Sequence, residues 1–249
     1  MSDKTSEKIT AMREGGKRLG KVRDELVSFT QIGMSFAEIE AEAQRLIAAA
    51  GAKPNFAMVP DYHWATCIMK NDEMCHGIPS KDKKVEDGDL MTIDVGLLYQ
   101  GYHLDTTTSF IVGTQDANKV EFLAVAKHAL AKAIAKATPG TSIYEISFAM
   151  EKVIEKHGWE MTFQLTGHSI GKELHMPPYV PCIAQRSDKK IKVFPGMTLA
   201  IEVMAAQGDA ELSIDSDGWT YRTKDGSLTV MEEETVLITE KGPEILTKA

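Results

Sequence analysis

Cysteine is scarce in this sequence, with three residues among 249 positions: Cys67, Cys75 and Cys182. Secreted proteins built on disulfides use dense, even-numbered sets of cysteines, so that class is excluded. The N-terminus also lacks the apolar run of a secretory signal, because charged residues interrupt its opening stretch, MSDKTSEKI. We therefore predict a protein of the reducing cytoplasm.

Basic residues and long apolar runs are also in short supply. Lys and Arg number 28 against 36 Asp and Glu, which gives a formal net charge of −8. A broad nucleic-acid surface needs a basic face, so we expect no nucleic-acid specificity. No apolar stretch approaches the ~18 residues that span a bilayer, so we expect no membrane association. Nothing in the pattern requires a partner subunit, and we expect a monomer.

An internal repeat of long period is present. A serine followed three residues later by glutamate forms a capping box, the start signal of a helix, and it occurs twice. A glycine follows each of these helical stretches, where a helix commonly ends. The matched pairs, each separated by 107 positions, are Gly33/Gly140, Ser35/Ser142, Glu38/Glu145, Ile39/Ile146, Ile47/Ile154, Gly51/Gly158 and Phe56/Phe163.

The repeat extends in both directions from these capped helices. A longer helix is predicted ahead of each, over Glu7–Ser28 and Val120–Ala137. A strand with one central carboxylate follows each, at Asp94 and at Glu202. A period this long indicates a duplicated half-domain and not a solenoid.

These features predict the fold class. We expect a single domain, 1–249, of mixed α/β (α+β) class, with half-domains at approximately 7–112 and 120–239. A pseudo-two-fold axis should relate the halves around antiparallel sheets. Asp94 and Glu202 should then converge near that axis.

A carboxylate pair lies on a predicted hairpin. The strand-like runs Leu90–Tyr99 and Tyr102–Val112 are separated by a Gln-Gly spacer, which is a hairpin signal. If the two tyrosines at the turn face each other, Asp94 faces Thr107, and Asp105 lies on the same side within ~7–8 Å. A carboxylate in an otherwise buried strand needs a partner or a cation, so the pair suggests a metal site. Salt-bridged acids are the alternative interpretation.

Two further candidate ligands lie downstream. His168 stands between glycines in TGHSIG, and an acidic run precedes the apolar strand that ends in VLIT. Alternation separates Glu233 from Glu232 and Glu234, but it leaves open which face points inward. A satisfied histidine and a solvated charge run are the alternatives. Together with Glu202, four carboxylates and one imidazole suit a bridged pair of Co, Mn, Fe or Zn ions better than a structural zinc.

Six short segments form a further pattern along the chain: Cys75-His76-Gly-Ile-Pro79, Ile93-Asp94-Val-Gly, Gly101…Asp105-Thr-Thr, Gly167-His168-Ser-Ile-Gly171…His175, Ile201-Glu202-Val-Met204 and Glu233-Glu-Thr235. Each segment alone is weakly specific, but together, in this order and spacing, they are highly specific. In these segments the sequence resembles the methionine aminopeptidase family, and the similarity covers nearly the whole chain. The chain is most similar to the short bacterial type I members, which have the pita-bread fold, a duplicated α/β unit.

The resemblance implies an enzyme that hydrolyses the N-terminal methionine from nascent proteins and peptides, preferring a small second residue. It also implies two divalent metal ions per chain and transient contact with the ribosome. Asp94 resembles the chelating ligand of one ion, and Asp105 and Glu233 resemble bridging ligands. His168 and Glu202 resemble ligands of the other ion, with Glu202 also moving the catalytic proton.

The same resemblance implies substrate contacts. His76 and His175 are similar to the family's non-ligand histidines, which contact substrate and stabilise the transition state. The positions that match the methionine pocket are Tyr62, His63, Cys67 and Trp219, with Trp64 and Leu174 nearby. The chain departs from the family pattern at Ser169, Val203 and Leu174, which puts pocket shape and rate in doubt but removes no candidate ligand.

Two alternatives belong to the same fold. An Xaa-Pro peptidase usually carries a large extra N-terminal domain, whereas a short helical lead precedes the first repeat here. A catalytically inactive binding module typically loses metal ligands, whereas all five candidates and both histidines are present. Peptide specificity and metal content would distinguish these alternatives.

Overall fold

Residues 3–249 are described by the computed structural model, with side chains from residue 6 onward. The helices are α1 (Asp3–Phe29), α2 (Phe36–Ala49), α3 (Ala117–Lys136) and α4 (Ile143–Glu155). The strands are β1 (Lys53–Pro54), β2 (Thr66–Lys70), β3 (Glu73–Cys75), β4 (Leu90–Tyr99), β5 (Tyr102–Ile111), β6 (Glu160–Met161), β7 (Thr166–Ser169), β8 (Met176–Pro181), β9 (Thr198–Ala206), β10 (Leu212–Ile214), β11 (Tyr221–Thr223), β12 (Thr229–Thr239) and β13 (Gly242–Ile245).

Both predicted capping boxes are confirmed. The Ser35 backbone N–H donates to the Glu38 carboxylate at 2.8 Å, and the Ser35 hydroxyl accepts from the Glu38 N–H. Ser142 and Glu145 form the same reciprocal pair at the start of α4, with a distance of 2.9 Å. Each pair satisfies N–H groups that a helix start leaves without partners.

The predicted helix ends need small corrections. Gly51 follows the C-cap of α2 with φ 69°, as predicted, but α4 ends at Glu155, so Gly158 lies one residue farther out than expected. α3 begins at Ala117 and not at Val120, because Asp116 caps it by accepting from the Lys119 N–H. In the described part of the chain, no helix combines the length and apolar composition that crossing a bilayer requires.

A large antiparallel sheet carries strands of both halves. Its order is β1-β4-β5-β12-β9-β7-β8, with β2, β6 and β13 at its sides. The β4–β5 hairpin has the predicted register, with Tyr99 opposite Tyr102 and Asp94 opposite Thr107. Both residues of its turn, Gln100 and Gly101, have positive φ, as a tight hairpin turn of this twist requires.

The two halves meet at the β5–β12 pair. In the first half, α1 and α2 pack on the sheet through one apolar core. In the second half, α3 and α4 pack on it through another. Each capped helix is also bridged at its N-cap to the chain ahead of the acid-bearing strand, by Ser35 with Lys84 and by Ser142 with Lys192. These matched bonds support the predicted repeat, which itself stays a prediction.

Candidate active site

Four neighbouring strands place a row of polar side chains across one face of the sheet. Asp94 lies opposite Thr107 in the β4–β5 pair. Glu233 lies opposite the same Thr107 on one side and opposite Glu202 on the other. Directly opposed residues of antiparallel strands point to the same face, so the row crosses the junction between the halves.

Alternation adds two further side chains to this face. Asp105 lies two residues before Thr107, and His168 lies opposite Ala200, two residues before Glu202. The three acids of the row and these two side chains line one cavity of about 260 Å³. The structure thus brings together all five predicted ligands: Asp94, Asp105, His168, Glu202 and Glu233.

The floor of the cavity fits a divalent cation. The ligand atoms of Asp105, His168 and Glu233 lie within 4.8 Å of one another. One oxygen each of Asp94, Asp105 and Glu233 is buried and accepts no hydrogen bond from any described residue. Buried carboxylate oxygens are normally paired, because burial removes their hydration. A hard cation would satisfy oxygens of this kind.

Burial strongly perturbs the acids of this cluster. It raises the pKa of Asp94 to about 7. Burial, and secondly the charge of Asp94, raises the pKa of Glu202 to about 8. The pKa values of Asp105 and Glu233 lie well above their usual range, from burial first and neighbouring carboxylates second. Without a cation the cluster therefore retains protons near neutral pH, and cation binding must release them.

His168 is held in the form that a metal ligand needs. Its Nδ1 lies 3.1 Å from the Ser169 carbonyl oxygen, and because a carbonyl can only accept, Nδ1 carries the proton. Nε2 therefore keeps its lone pair. Burial lowers the pKa of His168 to about 3, so the ring stays neutral.

Two further neutral histidines lie beside the ligands. The His175 ring packs edge-on against His168, with 4.5 Å between ring centroids. His76 has φ 55°, a left-handed conformation that non-glycine residues rarely adopt, and its ring packs against Trp219. Burial lowers the pKa of His76 to about 4 and also lowers that of His175. Each ring can therefore donate one hydrogen bond at neutral pH.

An aromatic and sulfur-containing wall stands next to these polar groups. Tyr62, Cys67 and Trp219 line the cavity, and the rings of Tyr62 and Trp219 pack edge-on at 5.0 Å. His63 is exposed and lies outside the cavity wall. The structure therefore does not bring His63 to the predicted substrate position, although the adjacent Tyr62 reaches the cavity.

Glu40 is a residue that sequence reasoning missed. This buried carboxylate of α2 accepts from the N–H of Ala65 at 2.7 Å and from the N–H of Thr66 at 3.0 Å. The Tyr62 hydroxyl in turn donates to the Thr66 carbonyl at 2.7 Å. Glu40 therefore anchors the loop that carries Tyr62 to the cavity. A charged residue on the apolar face of a predicted helix was the available signal.

Other residues at the cavity were also missed or placed with less detail. Leu174 lines the cavity, whereas Trp64 packs against Tyr62 from outside the wall. The Thr107 hydroxyl donates to Glu233 at 2.8 Å, a contact that the predicted hairpin register could have suggested. Lining residues that the sequence did not single out for the pocket are Phe56, Val59, Cys75, Gln164, Leu165, Thr166, Tyr179, Met204 and Met231.

The structure also answers which acid of the run 232–234 points inward. Glu233 faces the cavity, whereas its two neighbours face the helices on the opposite side of the sheet. Glu234 pairs with Arg23 of α1 at 3.0 Å, and Glu232 lies 3.9 Å from Lys127 of α3. Each outer acid therefore has its own cation, and only the middle one is left for the cavity.

Known proteins are similar to this chain in both sequence and fold. Residues 10–240 match metallopeptidase family M24. The chain is 36% identical to a methionine aminopeptidase of Aquifex aeolicus, over 96% of each chain. A methionine aminopeptidase structure from Thermotoga maritima has a TM-score of 0.94 at 34% identity, covering 98% of this chain and 97% of that one. Prolidase from Pyrococcus furiosus has a TM-score of 0.79 at 26% identity, over 98% of this chain but 64% of that one.

The fold and the site, taken with these matches, define a metal-dependent peptidase. A mixed α/β fold with a large antiparallel sheet gathers acids and a neutral histidine in one cavity. The chain belongs to metallopeptidase family M24. The predicted pita-bread fold and the predicted similarity to methionine aminopeptidases are confirmed. Membership implies divalent metal use, for which the cluster of Asp105, His168 and Glu233 is the candidate site.

Proposed function

We propose that this chain is a methionyl aminopeptidase, which removes the N-terminal methionine from peptides and nascent proteins and prefers a small second residue. One observation carries the proposal. Five ligand side chains and two neutral histidines share a cavity with an aromatic wall, in a chain that matches methionine aminopeptidases over nearly its whole length. A hydrolytic centre beside an apolar pocket suits a peptide whose first side chain is apolar.

Five residues would hold two divalent ions. Asp94 would chelate one ion, Asp105 and Glu233 would bridge the two, and His168 and Glu202 would bind the other. Because such ligands accept several metals, Co, Mn, Fe and Zn all fit this donor set. When bound, the ions would lower the pKa of a water molecule and polarise the first peptide carbonyl.

Glu202 would move the proton. Its carboxylate lines the cavity beside the other candidate ligands. A carboxylate within hydrogen-bond reach of the reacting groups can accept a proton and return it. A carboxylate oxygen of Glu202 would take a proton from the attacking water and pass it to the nitrogen of the leaving amine.

His76 and His175 would bind the peptide. Their lowered pKa values keep both rings neutral, so each presents one N–H and no competing charge. An N–H fixed beside the reacting carbonyl stabilises the negative charge that develops on its oxygen.

The aromatic wall would select methionine. Tyr62, Cys67 and Trp219 offer two rings and a thiol to the first side chain. Methionine is unbranched and flexible, and its thioether sulfur makes favourable contacts with aromatic rings. We propose that these three side chains form the specificity pocket.

The proposal is tested by peptide cleavage. Asp105→Asn should abolish release of methionine from Met-Ala-Ser in protein supplied with Mn²⁺. Asp89→Asn is the matched control, because Asp89 is a buried acid of the same hairpin that lies outside the cavity. Normal turnover by Asp105→Asn would refute the bridging role. Cleavage of Ala-Pro-Ser without cleavage of Met-Ala-Ser would instead support an Xaa-Pro peptidase.

We further propose that the protein acts as a cytoplasmic monomer on chains that emerge from the ribosome, through transient contact. The three cysteines are buried free thiols, which suits a reducing compartment. Size-exclusion chromatography would test the monomer. Co-sedimentation with translating ribosomes, compared with empty ribosomes, would test the contact.

A further inference from the structure

The two central strands pair directly over a very short stretch. β5 and β12 are paired at two positions, Thr107 with Glu233 and Thr106 with Glu234. The neighbouring pairs β4–β5 and β12–β9 are paired over nine or more positions. The junction between the halves, where two candidate bridging ligands lie, is therefore paired over far fewer positions than the strand pairs on either side of it.

On one side of this short pairing, a side chain replaces the backbone ladder. The same register sets Thr235 of β12 opposite Asp105 of β5. The Asp105 N–H donates to the Thr235 hydroxyl at 3.1 Å, and that hydroxyl donates to the Asp105 carbonyl at 2.7 Å. A hydroxyl can do both because it is donor and acceptor at once. One side chain thus holds both backbone groups of Asp105.

The other side repeats the arrangement with the strands exchanged. The Ser109 hydroxyl of β5 donates to the Met231 carbonyl at 2.8 Å and accepts from the Met231 N–H at 3.0 Å. Ser109 lies two residues beyond Thr107, as Thr235 lies two residues beyond Glu233. The two hydroxyls therefore occupy matching positions around the junction.

The backbone groups that these hydroxyls displace are paired elsewhere. The Ser109 N–H donates to the Glu232 carboxylate at 3.1 Å. The Thr235 N–H donates to the Thr247 hydroxyl at 3.1 Å, and the Thr235 carbonyl accepts from the Leu246 N–H at 2.8 Å. Buried backbone groups must find partners, so this full pairing indicates a stable fork between the strands.

We propose that Thr235 is a positioning residue for the metal centre, with its hydroxyl fixing the Asp105 backbone and hence the Asp105 carboxylate relative to Glu233. The inference rests on the proposed metal centre. Asp105 and Glu233 belong to different halves, and Asp105 lies just beyond the two positions at which β5 and β12 pair directly. Ligand atoms must be held within a few tenths of an ångström to bind a metal well. Ser109 makes the corresponding pair of bonds to Met231, two residues before Glu233 on the other strand.

Valine tests the hydroxyl without changing the size of the side chain. Thr235→Val leaves the Asp105 N–H and carbonyl unpaired. We expect the Kd for Mn²⁺, measured by titration calorimetry on metal-free protein, to rise by roughly 10- to 100-fold, as when other second-layer contacts to ligands are lost. Thr235→Ser keeps the hydroxyl and should restore wild-type binding. With Co²⁺ as probe, the visible absorption spectrum should change in Thr235→Val and not in Thr235→Ser.

Thr239→Val is the matched control. The Thr239 hydroxyl lies on the same strand and also has a double role, donating to the Gly242 carbonyl at 2.7 Å and accepting from the Lys241 N–H at 3.1 Å. It lies in the β12–β13 hairpin, away from the cavity, so its loss should leave the Mn²⁺ Kd unchanged.

The outcomes separate the inference from the proposed function. If the wild type binds Mn²⁺ and Thr235→Val binds it as Thr239→Val does, the positioning role is wrong, even if the melting temperature falls. If the wild type binds no Mn²⁺, the metal centre and this inference fail together. Should Thr235→Val not fold, Thr235→Ala, which also removes the hydroxyl, replaces it. Weaker Mn²⁺ binding by Thr235→Ala than by Thr235→Ser supports the inference, and equal binding overturns it.

Discussion

Each half of the molecule has two helices and an acid-bearing strand, which form a shared frame. The halves differ in the segment that joins this strand to its partner in the sheet. In the first half, a two-residue turn joins β4 to β5. In the second half, residues 207–228 separate β9 from β12, and they carry β10 and β11, which pair with β3 in a separate three-stranded sheet. Trp219 lies in this inserted segment and lines the cavity. The shared frame therefore holds the candidate ligands, while the segment found in one half completes the cavity wall.

The largest effect is expected when the candidate ligands at matching positions of the two halves are removed. Asp94→Asn and Glu202→Gln change equivalent strands of the two halves. Loss of a metal ligand should cost more than the roughly 100-fold that loss of a supporting contact can cost. We therefore expect each variant to lose more than that in kcat/KM on Met-Ala-Ser, measured with saturating Mn²⁺.

Equivalent acids outside the cavity provide the control. Asp82 and Asp188 occupy matching positions of the repeat, and neither lines the cavity. Asp82→Asn and Asp188→Asn should keep kcat/KM near the wild-type value. If either Asp94→Asn or Glu202→Gln were fully active, the two halves would not contribute equally to the site.

Local patterns explain which parts of the frame were predictable. The capping boxes of Ser35 and Ser142 depend on four consecutive residues, and the register of the β4–β5 hairpin depends on alternation and a two-residue turn. Asp94 and Asp105 belong to that one hairpin, so their proximity followed from its register. These features need no knowledge of the rest of the chain.

The remaining features depend on contacts between distant segments. The bonds of Thr235 to Asp105 join residues 130 positions apart, and those of Glu40 join a helix to a loop. The loop around Tyr62 has no periodicity, so the sequence could not indicate which of its side chains reach the cavity. Tyr62 does, and His63 does not. Tertiary packing decides such positions, and a single sequence carries little signal for them.

The inserted segment provides the second test of the comparison. Trp219→Ala removes a ring from the cavity wall, and burial of a large apolar side chain is worth ~1.5–3 kcal/mol. We expect KM for Met-Ala-Ser to rise at least roughly tenfold, the equivalent of ~1.4 kcal/mol, with kcat less affected. Ile214→Ala is the control, because Ile214 lies in the same segment and is exposed. Equal effects of the two substitutions would contradict a role for Trp219 in the pocket.

The stability of the metal-free protein tests whether the buried acids of both halves destabilise the fold as the pH rises. Burial raises the pKa of Asp94 to about 7 and that of Glu202 to about 8, whereas unfolded carboxyls titrate near ~4. The folded state therefore holds more protons in this range, and stability falls as the pH rises from ~4 to ~8. We expect the melting temperature to fall between these values and Mn²⁺ to restore it at the upper end.

The double variant Asp94→Asn/Glu202→Gln sharpens the pH experiment. Neutral amides cannot titrate, so its melting temperature should depend less on pH over the same range. If the wild type and the double variant gave parallel pH profiles, other groups would dominate the stability of the metal-free protein.

The smallest expected effect concerns one helix position at which the halves differ. Glu40 of α2 holds the loop at Ala65 and Thr66, whereas the repeat-equivalent residue of α4 is Ser147, a buried side chain whose hydroxyl has no partner among residues 3–249. Glu40→Gln turns one of the two accepting oxygens into an NH2 donor, so at least one of these backbone N–H groups loses its partner, which should cost ~1–3 kcal/mol of unfolding free energy. KM for Met-Ala-Ser should rise with kcat preserved, because the change reaches the cavity through Tyr62.

Ser147→Ala is the matched substitution in the other half. Removing an unpaired buried hydroxyl costs little and can stabilise, so neither the unfolding free energy nor KM should worsen. Chemical denaturation and initial-rate measurements on the two variants would check this difference. If Glu40→Gln changed stability but left KM unaltered, the anchor would serve the fold and not the pocket. The loop would then hold Tyr62 through its own contacts, and the asymmetry between the two helices would have no part in substrate selection.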